Sequence, residues 1–483
     1  MKKLNRTTAN IAAPHPVKVL QFGGGNFLRA FVDWMLDVYN EKTSSDLGVL
    51  LVTPISRDNY QNWQDQDGLY HVLTKGLQNG QVVDESYLVK CISQILHLYP
   101  KWDEFLKSAE NPDMRFVVSN TTEAGIRFSP DDQKTDTPPT EFPAKLTLWL
   151  YHRYRHFQGS HEAGCIFIPV ELILQNGEML RQCILQNADN WGLEAAFKDW
   201  VSGSNIFCNT LVDRIVPGVS RDKVQEECER IGYDDTMITQ GEAFHFWVIE
   251  GPAEVEQELP LHKAGLDVIF TQNLTPYRTR KVRILNGAHT SMVPVGYLYG
   301  IEAVKETVEH PVMGQFVQQA IFDEIIPTLD LPDAELQQYA KDVVDRFRNP
   351  FIHHELISIS LNSVSKFETR VLPSILKYVE LKGSLPKCLC FSLAALVHFY
   401  KGAYQGTAIP LKDDQEAIDF LQSQWLQCDR SSAGFAAMAK NILQWEYAWG
   451  RDLSTIPGMT DQLAADLAKI EQVGMQQAVD QLV

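Results

Sequence analysis

Residues 281–289 read KVRILNGAH, which places a lysine, an asparagine five positions on, and a histidine three beyond that. Reducing a ketone with hydride requires a proton for the developing alkoxide, from a donor within hydrogen-bond reach and with a pKa near the working pH. Lysine serves when burial or neighbouring positive charge brings it down from its ordinary range, and Lys281 stands among Arg278, Arg280 and Arg283. An amide and an imidazole three residues apart share a helix face, so Asn286 and His289 can donate two N–H groups to one oxygen. At roughly 100° per residue, Lys281 lies about 80° around the helix from His289, a gap its long stem can close. The stretch also fits a plain positive helix start, with a buried histidine, a capping asparagine and solvated arginines. Spacing alone leaves both readings open.

A second stretch with chemistry lies near the start. VKVLQF (17–22) runs into GGGNFLRAFVDWML, where Phe27, Phe31, Trp34, Met35 and Val38 recur at helical spacing. This is a strand, a tight glycine turn and a helix. Glycines let the backbone approach a pyrophosphate, and the positive helix end stabilises its charge. Gly23 and Gly25 fill the first two positions of GxGxxG, while Leu28 stands at the third. The candidate dinucleotide contacts are Gln21, Phe22, Gly23, Gly24, Gly25, Asn26, Phe27, Leu28 and Arg29. A ribose-binding acid is expected after the second strand. PISRD offers Asp58, which would select NAD, beside Arg57, which would suit a 2′-phosphate.

These groups need elements to position them. From 17 to about 272, short apolar runs alternate with helical stretches. VKVLQF, GVLLVTPIS (48–56), MRFVVSN (114–120), GCIFIPVEL (164–172) and FHFWVIE (244–250) read as strands, and DEFLKSA, AKLTLWLYHRYRHF and EMLRQCIL as helices. Such alternation predicts a doubly wound, largely parallel sheet covered on both faces. Residues 70–93 hold two alternating runs around Asn79–Gly80 and predict an inserted hairpin. After Thr275–Pro276, which opens a helix as N-cap and N1, nearly everything has helical period. The expected organisation is α/β: a Rossmann-like domain over 1–275, then an all-α domain over 276–483 opened by the KVRILNGAH helix. A domain junction of this kind is where ligand clefts usually form.

Composition narrows the partners. The 483 residues carry a formal charge of −18, which argues against nucleic acid or an anionic membrane surface. A small anionic substrate would therefore need a local basic pocket. No apolar run reaches membrane-spanning length; the longest, CFSLAALVHFY at 390–400, is too short. The eight cysteines lack CxxC spacing and sit mostly in apolar runs, as expected of reduced, buried thiols in the cytoplasm. The only local metal-like cluster is His353, His354 and Glu355, and adjacent helical residues point apart. No metal is expected.

Together these motifs resemble a known family. K-x4-N-x2-H, here Lys281, Asn286 and His289, is similar to the active-site signature of the polyol-specific long-chain dehydrogenases, the mannitol dehydrogenase family. GGGNFLRAF (23–31), QDGLY (66–70), TEAG (122–125), LVDRIVP (211–217) and SKFETRVLP (365–373) look like that family too, so the resemblance spans essentially the whole chain. FGGGNFLRAFVDW, SNTTEAGI, ILNGAHT and DEIIPTLDLP are most similar to members acting on sugar acids. The resemblance implies metal-independent oxidoreduction with NAD and a small anionic sugar-acid substrate. It implies Lys281 as general acid/base, Asn286 and His289 holding the reacting oxygen, Asp213 as a supporting or proton-relay carboxylate and Lys366 as a substrate contact.

One stretch departs from the family. Mannitol dehydrogenases carry a second oxyanion-binding asparagine in a CDN…NG motif, where this chain has VELILQNG, with Glu171 and Leu172 in place of the acid and the asparagine. Either Asn286 works without that partner or another donor such as Asn176 replaces it. For a substrate carboxylate, the candidate cations are Arg370, Lys366, Arg278, Arg280 and Arg283 in no fixed order. A sibling enzyme of the family would differ in substrate and keep the chemistry. A non-catalytic NAD(H)-binding sensor would keep the glycine turn and show no lysine-dependent turnover. The sequence leaves the oligomeric state open.

Overall fold

The computed structural model describes residues 1–53, 60–122 and 124–483. By its internal contacts the chain forms two compact units: Met1–Gly76 with Val82–Leu274, and Leu77–Gln81 with Thr275–Val483. The tip of the hairpin, Leu77–Gln81, groups with the second unit.

The first unit is organised by a six-stranded sheet. In chain order its strands are β1 (Val17–Phe22), β2 (Gly48–Thr53), β3 (Ile92–His97), β4 (Phe116–Ser119), β5 (Ile166–Pro169) and β6 (Ile206–Phe207). They lie in the order β3-β2-β1-β4-β5-β6, and every pairing is parallel. The runs are almost wholly apolar because both faces are covered. Alternate residues enter two separate cores: Val19, Val49, Leu51, Val118 and Ile168 on one face, and Leu20, Phe22, Leu50, Val52, Val117 and Phe167 on the other. Chain order reverses at β1, whose neighbours are β2 and β4. In sheets of this class ligands bind at the carboxyl ends of the strands beside that reversal, and the glycine turn follows β1 there.

The inserted hairpin pairs Tyr70–Gln78 with Gln81–Val89. Asn79 (φ 53°) and Gly80 (φ 73°) are both left-handed, as a two-residue turn matched to strand twist requires. A further sheet joins Asn209–Asp213 antiparallel to Phe246–Glu250, which runs parallel to Val268–Thr271.

The second unit is largely helical. Lys387–Phe399 is apolar around its circumference and buried from Cys388 to Phe399, as expected of a helix enclosed by others. Gly287–Tyr299 and Met459–Asp480 pack against it. The expected all-α character needs one correction: Ala403–Tyr404 and Thr407–Ala408 form a small antiparallel pair. Gln405 (φ 49°) and Gly406 (φ 82°) supply its turn, a signal too short for periodicity to register. Among the described residues no helix is long and apolar enough to cross a membrane, and all eight cysteines are free and buried.

Candidate functional site

Lys281, Asn286 and His289 lie on one helical rod of the second unit, but the rod is not a uniform α-helix. Thr275–Arg280 is α-helical, Lys281–Asn286 is a π-helix, and Gly287–Tyr299 returns to α. The Gly287 N–H donates to the carbonyl of Val282, five residues back. In α geometry Lys281 and Asn286 would stand about 140° apart around the axis. The wider π turn, with its i→i+5 hydrogen bond, brings such residues closer around the axis, and turns of this kind often mark functional sites. The 3.6-residue period assumed from the sequence does not hold over Lys281–Asn286. Gly287 is also a contact point: a Cβ there would lie 3.1 Å from the Arg370 carbonyl. The missing side chain lets the rod approach the end of helix Ser363–Arg370, which carries Lys366 and Arg370.

His289 is set in cationic surroundings. Its ring lies 4.3 Å from the Phe347 ring and 5.3 Å from His354, edge-on to the latter. Burial, then His354, Arg346, Arg370 and Lys366, push its pKa well below the ordinary imidazole value, so the ring is uncharged at neutral pH. Its Nε2 is buried with no hydrogen-bond partner. Phe347, His354 and Arg346 were missed as neighbours because the contacts join distant parts of the chain. The helix expected at His353–His354 is absent: 352–354 is non-helical and the next helix is Leu356–Ile359. No group of three or more potential metal ligands occurs among the described residues.

The five candidate cations separate. Arg280 is buried, ion-paired with Glu335 and stacked 4.2 Å over Tyr339, which makes it a structural residue. Arg278 is also engaged. Arg283 donates to Ser374 Oγ at 3.1 Å, and burial lowers its pKa to about 10. Lys366 Nζ donates to the Ile359 carbonyl at 2.8 Å, and burial with the nearby Arg370 lowers its pKa. The Arg370 guanidinium, itself lowered by burial, makes no hydrogen bond or ion pair with any described residue. The Asn286 side-chain amide likewise has no partner among the described residues. An amide, a neutral imidazole and a guanidinium thus remain available for a ligand, beside a half-buried lysine.

The glycine turn belongs to the first unit. Gly23 (φ 106°) requires glycine, and its N–H donates to the Val52 carbonyl at 3.0 Å. A Cβ on Gly24 would lie 3.1 Å from the Trp63 ring, whereas one on Gly25 would meet nothing within 4 Å. Gly25 is the N-cap of the following helix, and no side chain caps it. The first N–H groups of a helix have no intrahelical partner, and the space beside Gly25 is open at the reversal point of the sheet. That arrangement fits a dinucleotide pyrophosphate. The other named contacts divide. Gly24, Gly25 and Asn26 are at the surface, while Gln21, Phe22, Leu28 and Arg29 are buried and support the turn from beneath. Arg29 donates to the Met237 carbonyl and to Asn26 Oδ1, and Phe27 stacks on Phe31 at 4.9 Å. Asp58 lies outside the described residues.

Asp213 is also in the first unit, buried at the end of Asn209–Asp213 and opposite Phe246. The departure at VELILQNG is now explained locally. Glu171 is buried and accepts hydrogen bonds from Thr121 N, Thr121 Oγ1 and Ser119 Oγ, so it braces the loop after β4. Asn176 donates to the carbonyls of Pro169 and Glu171 and accepts from Gly177 N and Thr210 N. Its amide is fully used in joining two strands, so it is not a replacement oxyanion donor. Leu172 is 63% exposed and has no donor to offer.

Residues 17–263 match the family model described as the mannitol dehydrogenase Rossmann domain, and residues 273–471 match the mannitol dehydrogenase C-terminal domain. The altronate oxidoreductase of Yersinia enterocolitica serotype O:8 is 44% identical over 466 residues, 96% of either chain. That of Bacillus subtilis strain 168 is 44% identical over 481 residues, covering 100% of this chain and 98% of its own. Among solved structures, a substrate-free D-sorbitol dehydrogenase superposes with a TM-score of 0.81 at 20% identity, over 99% of this chain and 100% of its own. A Pseudomonas fluorescens mannitol 2-dehydrogenase, solved with NAD and D-mannitol, gives 0.65 at 22% identity over 99% of each chain. At such identities the likeness is one of fold.

Proposed function

Because the chain belongs to the mannitol dehydrogenase family, we propose that it interconverts D-tagaturonate and D-altronate with NAD(H), as an altronate oxidoreductase. Altronate oxidoreductases that align over nearly the full length of both chains support the substrate assignment. The observation that carries the reading is the set of unspent donors around His289, with the unpaired Arg370 among them. A neutral polyol would leave that half-buried cation without a partner, whereas a sugar acid brings a carboxylate to it.

NAD(H) would be held at Gly24, Gly25 and the N–H groups that begin the helix after them, and when bound it supplies or takes up the hydride. Arg370 pairs with the substrate carboxylate, assisted by Lys366, and so fixes the keto group relative to the rod. As charge grows on the keto oxygen, the Asn286 amide and the neutral His289 imidazole donate hydrogen bonds to it. Lys281 delivers a proton to that oxygen and completes the alcohol. In oxidation the neutral amine removes the hydroxyl proton, so that direction is favoured at higher pH. His289 suits its task because burial, with its cationic neighbours, keeps it uncharged; it donates without competing for the proton Lys281 transfers. Asp213 is, in this reading, a supporting or proton-relay carboxylate.

The test is NADH oxidation by the purified protein, with D-tagaturonate, D-fructuronate and D-fructose offered in parallel and EDTA present. Turnover of tagaturonate well above the other two supports the proposal. Preference for fructuronate or fructose keeps the chemistry and overturns the substrate. NADH binding without any turnover favours a sensor.

A further inference from the structure

The QDGLY stretch and the acid of FVDW are not used by the mechanism above, yet they meet in the layer beneath the glycine turn. Asp33 is fully buried at the end of the π segment Arg29–Asp33. Its Oδ2 accepts from the Tyr70 hydroxyl at 2.9 Å and from Gln21 Nε2 at 3.3 Å. The same Gln21 Nε2 donates to the Gly23 carbonyl at 3.1 Å, and the Tyr70 hydroxyl also reaches the Arg29 carbonyl at 3.2 Å. A chain of hydrogen bonds therefore runs from Tyr70 through Asp33 and Gln21 to the backbone of the turn. Every member is buried, and Asp33 Oδ1 and Gln21 Oε1 have no partner.

We infer that Asp33 is a positioning residue for the dinucleotide: acting through the Gln21 amide, it fixes the Gly23 carbonyl and so the direction of the N–H groups that follow. This rests on the NAD(H) reading of the glycine turn. A peptide plane has one orientation, so holding the Gly23 carbonyl inward also sets where the Gly24 N–H points. The left-handed Gly23 has no side chain to restrain it, and the Gln21 contact takes that part. Tyr70 in turn orients the carboxyl, which gives the aromatic end of QDGLY a purpose. Buried networks of this kind specify one conformation when their members are joined.

The charge state of Asp33 is part of the device. Burial raises its carboxyl to about 7, against the hydrogen bonds of Tyr70 and Gln21 and the charge of Arg29, with Asp37 adding to the rise. The groups facing it are Tyr70 and Gln21 from neighbouring strands, the Cys91 thiol at its carbonyl, and Arg29 and Asp37 on its own rod. A pyrophosphate on the turn opposes a second negative charge beneath it. Binding then favours protonated Asp33, and by reciprocity affinity falls as pH rises through about 7.

The experiment is a titration of NADH fluorescence with the full-length wild type and with Gln21→Met, Asp33→Leu and Asp33→Asn, between about pH 6 and 8.5, a range that brackets the Asp33 carboxyl. Gln21→Met and Asp33→Leu should weaken NADH binding about tenfold, the scale of one lost buried hydrogen bond, with the KM for the sugar acid unchanged. Asp33→Asn keeps an acceptor for Tyr70 and Gln21, so it should bind like wild type at low pH and lose the weakening above neutrality. Folded Gln21→Met with wild-type affinity, or an Asp33→Asn profile that superposes on wild type, overturns the inference. If Asp33→Leu does not fold, Gln21→Met decides. Wild-type protein that binds no NADH overturns the underlying cofactor reading.

Discussion

Gly287 and the carbonyl of Arg370 are in such close approach that a methyl group at Gly287 would lie 3.1 Å from the oxygen. The contact joins the rod bearing Lys281, Asn286 and His289 to the end of the helix bearing Lys366 and Arg370. Gly287→Ala sets two effects against each other. Alanine favours a helical backbone by about 1 kcal/mol over glycine, while the contact must open by a few tenths of an ångström. The expected outcome is a protein of equal or slightly higher thermal stability whose kcat/KM for the sugar acid falls several-fold. Calorimetry beside steady-state kinetics checks this, and unchanged kinetics would show that the two helices are not coupled in function.

Lys281→Ala removes the proposed proton donor and leaves the glycine turn untouched. Turnover should fall by about two to four orders of magnitude, the usual range for a general acid/base, with NADH affinity nearly intact. Retained turnover would end the assignment of Lys281.

Arg370→Met keeps the bulk of the side chain and removes its charge. The loss of a charged hydrogen bond, roughly 1.5–3 kcal/mol, should raise the KM for D-tagaturonate by about one to two orders of magnitude. Any residual activity on D-fructose should be unchanged, since a neutral ketose has no carboxylate to lose. Equal losses on both substrates would point to Lys366 or Arg283 as the carboxylate partner.

His245 gives the fold an acid limit. Its Nε2 accepts from the Asp267 N–H at 3.3 Å, and burial with nearby Arg214 lowers its pKa to about 4. The unfolded ring titrates near 6.5. Stability from the neutral ring is therefore complete above about 6.5 and is lost as pH falls towards 4, by up to about 3 kcal/mol. Urea unfolding across that window should show the loss in wild type and a flatter dependence in His245→Gln. Parallel curves would remove His245 as the cause.

Much of this was legible in the sequence, and what was missed has physical reasons. Buried parallel strands announce themselves as apolar runs, so β1, β2, β4 and β5 could be read directly. The glycine turn could be read because it follows the first of them. The π segment could not, since five-residue spacing imitates a broken α period. Nor could the layer beneath the turn, where Tyr70 reaches Asp33 across 37 positions. Asn176 looked like a spare donor in the sequence because nothing local shows that Thr210, 34 residues away, occupies it. Arg280 appeared equivalent to Arg370 until Glu335 and Tyr339 were seen to hold it.

The π turn at Lys281–Asn286 makes the proposed active site depend on the number of residues as much as on their identity. Deleting any one of Val282, Arg283, Ile284 or Leu285 would let the rod settle into unbroken α geometry, by hydrogen bonding the more comfortable state. Every residue before the deletion would then swing around the axis relative to His289, and the lysine would leave its partners without a single site residue having been changed. Gene variants that shorten this stretch by one codon should therefore yield well-folded proteins with no activity.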